Sequence, residues 1–149
     1  MNFEECIEII LDHEGGYVNN PKDPGGETKF GISKRAYPKL NISGLTRNQA
    51  ITIYKNDYWD KYKISEIDES CRLMYFDCCV NQGYGTAKSL FNLAKSLYSK
   101  EKLLGAFAKL RLDKYQALSS YQSFSKGWGD RVLDITIKSF EALLNKGSL

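Results

Sequence analysis

HEGGYVNNPKDPGGETKFGI, residues 13–32, is the stretch on which the reading of this chain turns. Five glycines and two prolines in twenty residues end any helix that reaches them. Between those breakers stand Tyr17-Val18 and Thr28-Lys29-Phe30, short runs of β-forming residues, which predicts a hairpin or three short strands over 17–32. The segment before it, MNFEECIEIILDHE, predicts a helix from Asn2 to Glu14, with Asn2 as N-cap and Glu5 three residues on. At about 100° per residue, Phe3, Ile7 and Ile10 fall in one narrow arc. Glu4, Glu5, Glu8 and Asp12 lie opposite. Glu14 falls in the middle of the apolar arc, out of place among the acids of its own helix.

Beyond residue 33 the periodicity is helical. A short helix is expected at Ser33–Ala36, stopping near Pro38. Thr46-x-x-Gln49 is a capping box that opens a helix through Lys61. Further helices are expected at Asp68–Val80, with Gly83 just past the end, and at 86–98, 101–121 and 127–145. The fold class is therefore α+β and mostly helical, with one small β element after the first helix.

The chain has 149 residues, 42% of them hydrophobic, enough for a real core. No run of 18 apolar residues is present, so no membrane span is expected. The N-terminus is acidic where a secretory leader would be basic, which predicts a protein cytoplasmic as synthesised. Four cysteines (Cys6, Cys71, Cys78, Cys79) fit no zinc spacing, and His13 is the sole histidine. We expect reduced packing thiols, with no metal and no cofactor. Net charge is +3, unevenly divided. Residues 1–83 hold 10 basic and 13 acidic side chains, whereas residues 84–149 hold 11 and 5. The rear half suits an anionic surface, and reads equally well as solvated helix faces. A monomer that does not bind nucleic acid is expected.

Splitting a glycosidic bond requires a carboxylic acid that keeps its proton near neutral pH. A carboxyl on an apolar face is disfavoured in its charged form, and Glu14 has that placement. Gly15-Gly16 would turn the chain sharply and leave room for a bulky substrate. The partner must be a carboxylate that stays ionised in a polar loop, and Asp23 in NPKDPGG fits. Thr28 could orient a water. By pattern alone Glu14 could equally just end a helix, and Asp23 just form a side-chain turn. Tyr17, Tyr58, Trp59, Asn81 and Tyr84 are candidates for a saccharide groove, since aromatic faces pack on sugar rings and an amide both donates and accepts. Trp59 and Trp128 read first as core, Asn81 as groove.

The run EGGYVNNPKDPGGETKFGI resembles the signature of glycoside hydrolase family 108, N-acetylmuramidases of bacteria and phages that cut peptidoglycan. The resemblance is carried by Glu14-Gly15-Gly16-Tyr17, Asn20-Pro21, Asp23, Gly25-Gly26, Thr28 and Gly31-Ile32. Tyr58-Trp59 and the Phe76-Asp77 to Gly83 segment extend it. The rear segment, with Arg111, Tyr115, Leu118, Phe124, Gly127-Trp128 and Arg131-Val132, is similar to the family's peptidoglycan-binding region. Cys78-Cys79 and Gln122-Ser123 depart from the family pattern, the latter where a proline is expected.

The resemblance implies a lysozyme-like fold in which helix one and the hairpin form one wall of a cleft and a helical body the other. It implies a catalytic region over 1–83 and a peptidoglycan-binding region over 84–149. It also implies Glu14 as the acid. The order Glu, Asp, Thr is similar to that of phage-type lysozymes, which implies Asp23 and Thr28 as holders of the attacking water. Such a reaction inverts the anomeric centre. The implied setting is a phage endolysin released by a holin, or a bacterial muramidase serving secretion. The rival is a wall-binding protein without turnover, which would have no reason to keep Glu14, Asp23 and Thr28 together.

Overall fold

The computed structural model describes residues 1–19, 26–118 and 121–147, with backbone only at 121–125. These form two compact units, Asn2–Lys61 and Tyr62 onward with Met1. The units part between Lys61 and Tyr62, whereas the change in charge balance falls at 83/84.

The first unit opens with helix α1, Phe3–His13. Asn2 accepts from the Glu5 amide and Glu5 accepts from the Asn2 amide, a complete capping box that satisfies two otherwise orphaned donors. One face of α1 buries Phe3, Cys6, Ile7, Ile10 and Leu11. Burial of each large apolar side chain stabilises by about 1.5–3 kcal/mol. Strands β1 (Val18–Asn19), β2 (Glu27–Lys29) and β3 (Ile32–Ser33) follow as an antiparallel sheet in that order. Val18 pairs with Thr28, and Thr28 with Ser33. The expected helix at Ser33–Ala36 is not there. Ser33 is taken into β3, and its hydroxyl accepts from the Ala36 amide in a turn instead.

The β2–β3 connection is a two-residue loop, Phe30-Gly31, and both residues have positive φ (52° and 73°). That is the signature of a type I′ hairpin turn, which matches the strand twist but prefers Asn-Gly. Phe30 pays a steric penalty that Gly31 does not.

Helix α2, Arg47–Tyr54, opens with the Thr46/Gln49 capping box. It continues to Asp60 as predicted, but Lys55–Asp60 is wound as a π-helix. Such wider turns are rare and concentrate at functional sites. Here the winding leaves the Tyr54 and Tyr58 rings 5.4 Å apart. The segment buries Trp59 edge-on against Phe3, with ring centroids 5.4 Å apart.

The second unit is helical: α3 (Arg72–Asn81), α4 (Tyr84–Leu97), α5 (Leu103–Gln116) and α6 (Tyr121–Asn145), with single 3₁₀ turns at Ile64–Glu66, Glu69–Cys71 and Lys100–Lys102. Gly83 takes φ 86° and ψ 150° between α3 and α4, a positive-φ backbone open to glycine but not the left-handed helical cap expected there. Tyr75, Phe91 and Phe107 form an aromatic cluster joining α3, α4 and α5.

In the middle of this unit sits a buried charge network that periodicity did not reveal. Asp77, fully buried, accepts from Arg111 Nη2 at 2.8 Å and from Arg131 Nη2 and Nε at 2.8 and 2.9 Å. Arg111 Nε donates to Gln82 Oε1 at 2.8 Å. One carboxylate thus ties α3 to α5 and α6. All four cysteines are buried and outside any disulfide. Burial pushes the thiols of Cys71 and Cys78 up to about 11, and that of Cys79 further. They are packing residues, as the spacing suggested. Among the described residues no helix is long and apolar enough to cross a membrane. The whole is an α+β chain of lysozyme-like class, dominated by helices.

Candidate active site

Glu14 is the C-cap of α1. Its backbone has left the helix (φ −88°, ψ 135°), and its amide still donates to the Leu11 carbonyl at 3.2 Å. The helical wheel therefore stops one residue short of it. The side chain is nevertheless half-buried, because it lies against the hairpin turn. A Cβ built on Gly31 would stand 2.5 Å from Glu14 Oε2 and 2.5 Å from the Tyr54 hydroxyl. No real side chain tolerates such contacts. The glycine that matters most to the carboxyl is Gly31, seventeen residues beyond it, rather than Gly15 or Gly16. Neither of those two has positive φ, and no described atom lies within 4 Å of a Cβ at either position. They leave space beside Glu14, and the chain bends at Glu14 and Gly16 without either glycine taking a positive φ.

The hairpin turn is held to the end of α1. The Phe30 amide donates to the Gly15 carbonyl at 3.1 Å. Its carbonyl accepts from the Tyr54 hydroxyl at 2.9 Å. Thus the first unit brings together Glu14, the Phe30-Gly31 turn and Tyr54, from three elements far apart in sequence.

Thr28 is half-buried at the centre of β2, paired on both sides. Asp23 falls outside the described residues. Tyr17 is exposed, and its hydroxyl donates to Glu27 Oε1 at 3.1 Å. Partial desolvation, then the hydrogen bond and charge of Glu27, push its phenol up, so it stays a neutral donor. Tyr58 is half-buried beside Tyr54. Trp59 is only 5% exposed and belongs to the core of this unit, not to a surface a sugar could reach.

The second unit places the remaining candidates. Tyr84 stacks on Tyr62 with centroids 4.0 Å apart and rings 5° from parallel. Asn81 is exposed, and its side-chain oxygen accepts from the Tyr115 hydroxyl. Tyr115 stacks on Trp128 at 4.6 Å, and burial pushes its phenol up. Asn81, Gln82, Thr86, Lys114, Tyr115 and Trp128 border a cavity of about 440 Å³. Among the described residues no group of three or more His, Cys, Asp or Glu side chains is placed to hold a metal ion.

Tyr54 escaped the sequence reading. Its signal was weak: a tyrosine four residues before Tyr58, on the inner face of a well-capped helix. Gly31 was visible only as part of a motif.

The model of the family described as Glycosyl hydrolase 108 matches residues 7–83. No curated protein matches the sequence. Among solved structures the chain is similar to the "Structure of Brucella abortus SagA", with a TM-score of 0.80 and 24% identity, over 93% of this chain and 94% of that one. That likeness speaks for the fold.

Proposed function

We propose, for a chain that belongs to glycosyl hydrolase family 108 and is thereby a glycoside hydrolase of the peptidoglycan-acting kind, cleavage of the β-1,4 bond between N-acetylmuramic acid and N-acetylglucosamine. The observation that carries this reading is Glu14: a half-buried carboxyl at the end of α1, seated over a glycine that has no room for a side chain. A carboxyl partly withdrawn from water and held in one place suits a general acid. Glu14 gives its proton to the glycosidic oxygen as the bond to the muramic acid carbon breaks. Asp23 takes a proton from the attacking water, and Thr28 orients that water through its hydroxyl. The matched stretch contains all three. The roles of Asp23 and Thr28 rest on their order after Glu14, which is that of phage-type lysozymes. The reaction so written inverts the anomeric centre.

Tyr17 and Tyr58 are assigned to sugar contacts on the first unit. Asn81 and Tyr84, on the second unit, are likewise assigned to sugar contacts, and the basic half, residues 84–149, to wall attachment. The setting proposed is lysis from within, as an endolysin. Co-expression with a holin should lyse a bacterial culture that either protein alone leaves intact.

Digestion of purified peptidoglycan by the wild type and by Glu14→Gln, with products reduced and read by mass spectrometry, tests the chemistry. Muramic acid reducing ends from the wild type and almost none from the variant are expected. Glucosamine reducing ends would refute the bond assignment, and full activity in the variant would refute the acid. An NMR time course in which the first product keeps the substrate's anomeric configuration would remove Asp23 as base.

A further inference from the structure

We propose that Tyr54 is a positioning residue for the catalytic acid, acting through the Phe30-Gly31 turn; this rests on the reading of Glu14 as that acid. Phe30 sits at φ 52°, a conformation unfavourable to a side chain with a Cβ. Such a turn persists only where its surroundings over-determine it. Two hydrogen bonds hold Phe30: its amide donates to Gly15, the residue after Glu14, and its carbonyl accepts from Tyr54. The first ties the turn to the backbone that carries the acid. The second ties it to the last residue of α2, whose ring is 1% exposed. The hydroxyl is therefore a fixed post in a packed interior, set just before the helix changes to π winding.

The geometry then closes on Glu14. Its Oε2 and the Tyr54 oxygen each lie 2.5 Å from the point a Gly31 Cβ would occupy, on the bare face of the turn. A rotation or slide of that turn changes the floor on which the carboxyl rests. With the Tyr54 hydroxyl in place, the floor is set and the acid's proton is presented in one direction. Tyr54 holds no reacting atom. Its contribution is direction, which matters in a transition state far more than in substrate binding.

The test is Tyr54→Phe, which keeps the buried ring and removes only the hydroxyl. It is assayed beside the wild type and Glu14→Gln on soluble peptidoglycan fragments, with thermal melting of all three. Positioning predicts a kcat lower by roughly 10- to 100-fold, a KM within about two-fold, and a melting temperature within a few degrees of wild type. A kcat within about two-fold of wild type overturns the proposal. So does a parallel loss of kcat and melting temperature, which would mark the hydroxyl as a stabilising group only. If Glu14→Gln keeps full activity, the reading of Glu14 fails by itself, whatever Tyr54→Phe does. If Glu14→Gln is inactive and Tyr54→Phe is fully active, only the positioning role fails.

Discussion

Replacing Asp77 by Ala would remove the one carboxylate that two buried guanidiniums share. Arg111 is fully buried and Arg131 nearly so, and both reach Asp77 within 2.9 Å. After the change Arg111 keeps Gln82 Oε1 as a neutral acceptor, but no anion is left to balance it. Removing one partner of a buried pair costs about 3–5 kcal/mol, because the other charge stays buried without compensation. Arg111, fully buried, is the charge left without its carboxylate, which places the loss within that range. A loss of that size is a large share of the roughly 5–15 kcal/mol by which such chains are stable. It lowers the melting temperature by roughly 10–20 °C for a chain of this length. The assay is thermal and urea unfolding by far-UV circular dichroism, with Arg131→Met as the milder comparison. A loss below about 1 kcal/mol in Asp77→Ala would refute the reasoning, since it would mean that water reaches the guanidiniums freely.

Three further outcomes are expected. Gly31→Ala should abolish most activity and cost about 1–3 kcal/mol, since the new Cβ meets two side-chain oxygens at 2.5 Å in a left-handed backbone; wild-type kcat in this variant would contradict the seat described for Glu14. Hydrogen bonding by Lys146, then by the N-terminal amine, holds the Glu69 carboxylate down to about 2 from an ordinary 4.5. Its contribution is present above pH 4.5 and is lost as pH falls toward 2, and it is small because the site is open to screening ions. Glu69→Gln should flatten the acid limb of a stability–pH curve in that window, and an unchanged limb would count against the pairing. Native protein should resist a thiol reagent that titrates four cysteines once the chain is unfolded; fast labelling of Cys78 or Cys79 in the native state would contradict their burial.

Elements whose cause is local were legible in the sequence. The Asn2/Glu5 and Thr46/Gln49 boxes each needed only four residues, and both formed. Gly83 took a positive φ just past α3, with an extended ψ in place of the left-handed helical one. What depended on partners distant in sequence was not legible. Ser33 joined a strand because Thr28 was there to pair with it. A positive φ at Phe30 is set by two hydrogen-bonded partners, Gly15 and Tyr54, against the residue's own preference, and no propensity scale contains them. Asp77 is the one charge in MYFDCCV, but Arg111 shares LLGAFAKLRL with Lys109, so pattern alone did not mark the pair. Nothing in either run said they meet. Of the candidate site, Glu14 was found by its place on the helical wheel. Tyr54, which the wheel shows only as an inner residue, required the turn to be seen first.

The buried thiols have a consequence for how the fold responds to redox conditions. With none of the four cysteines in a disulfide, the fold owes none of its stability to a cysteine bridge. With their thiols pushed up by burial, Cys71, Cys78 and Cys79 offer little thiolate to an oxidant. A change of redox potential thus finds no cysteine bridge in the fold to break, and little thiolate to oxidise.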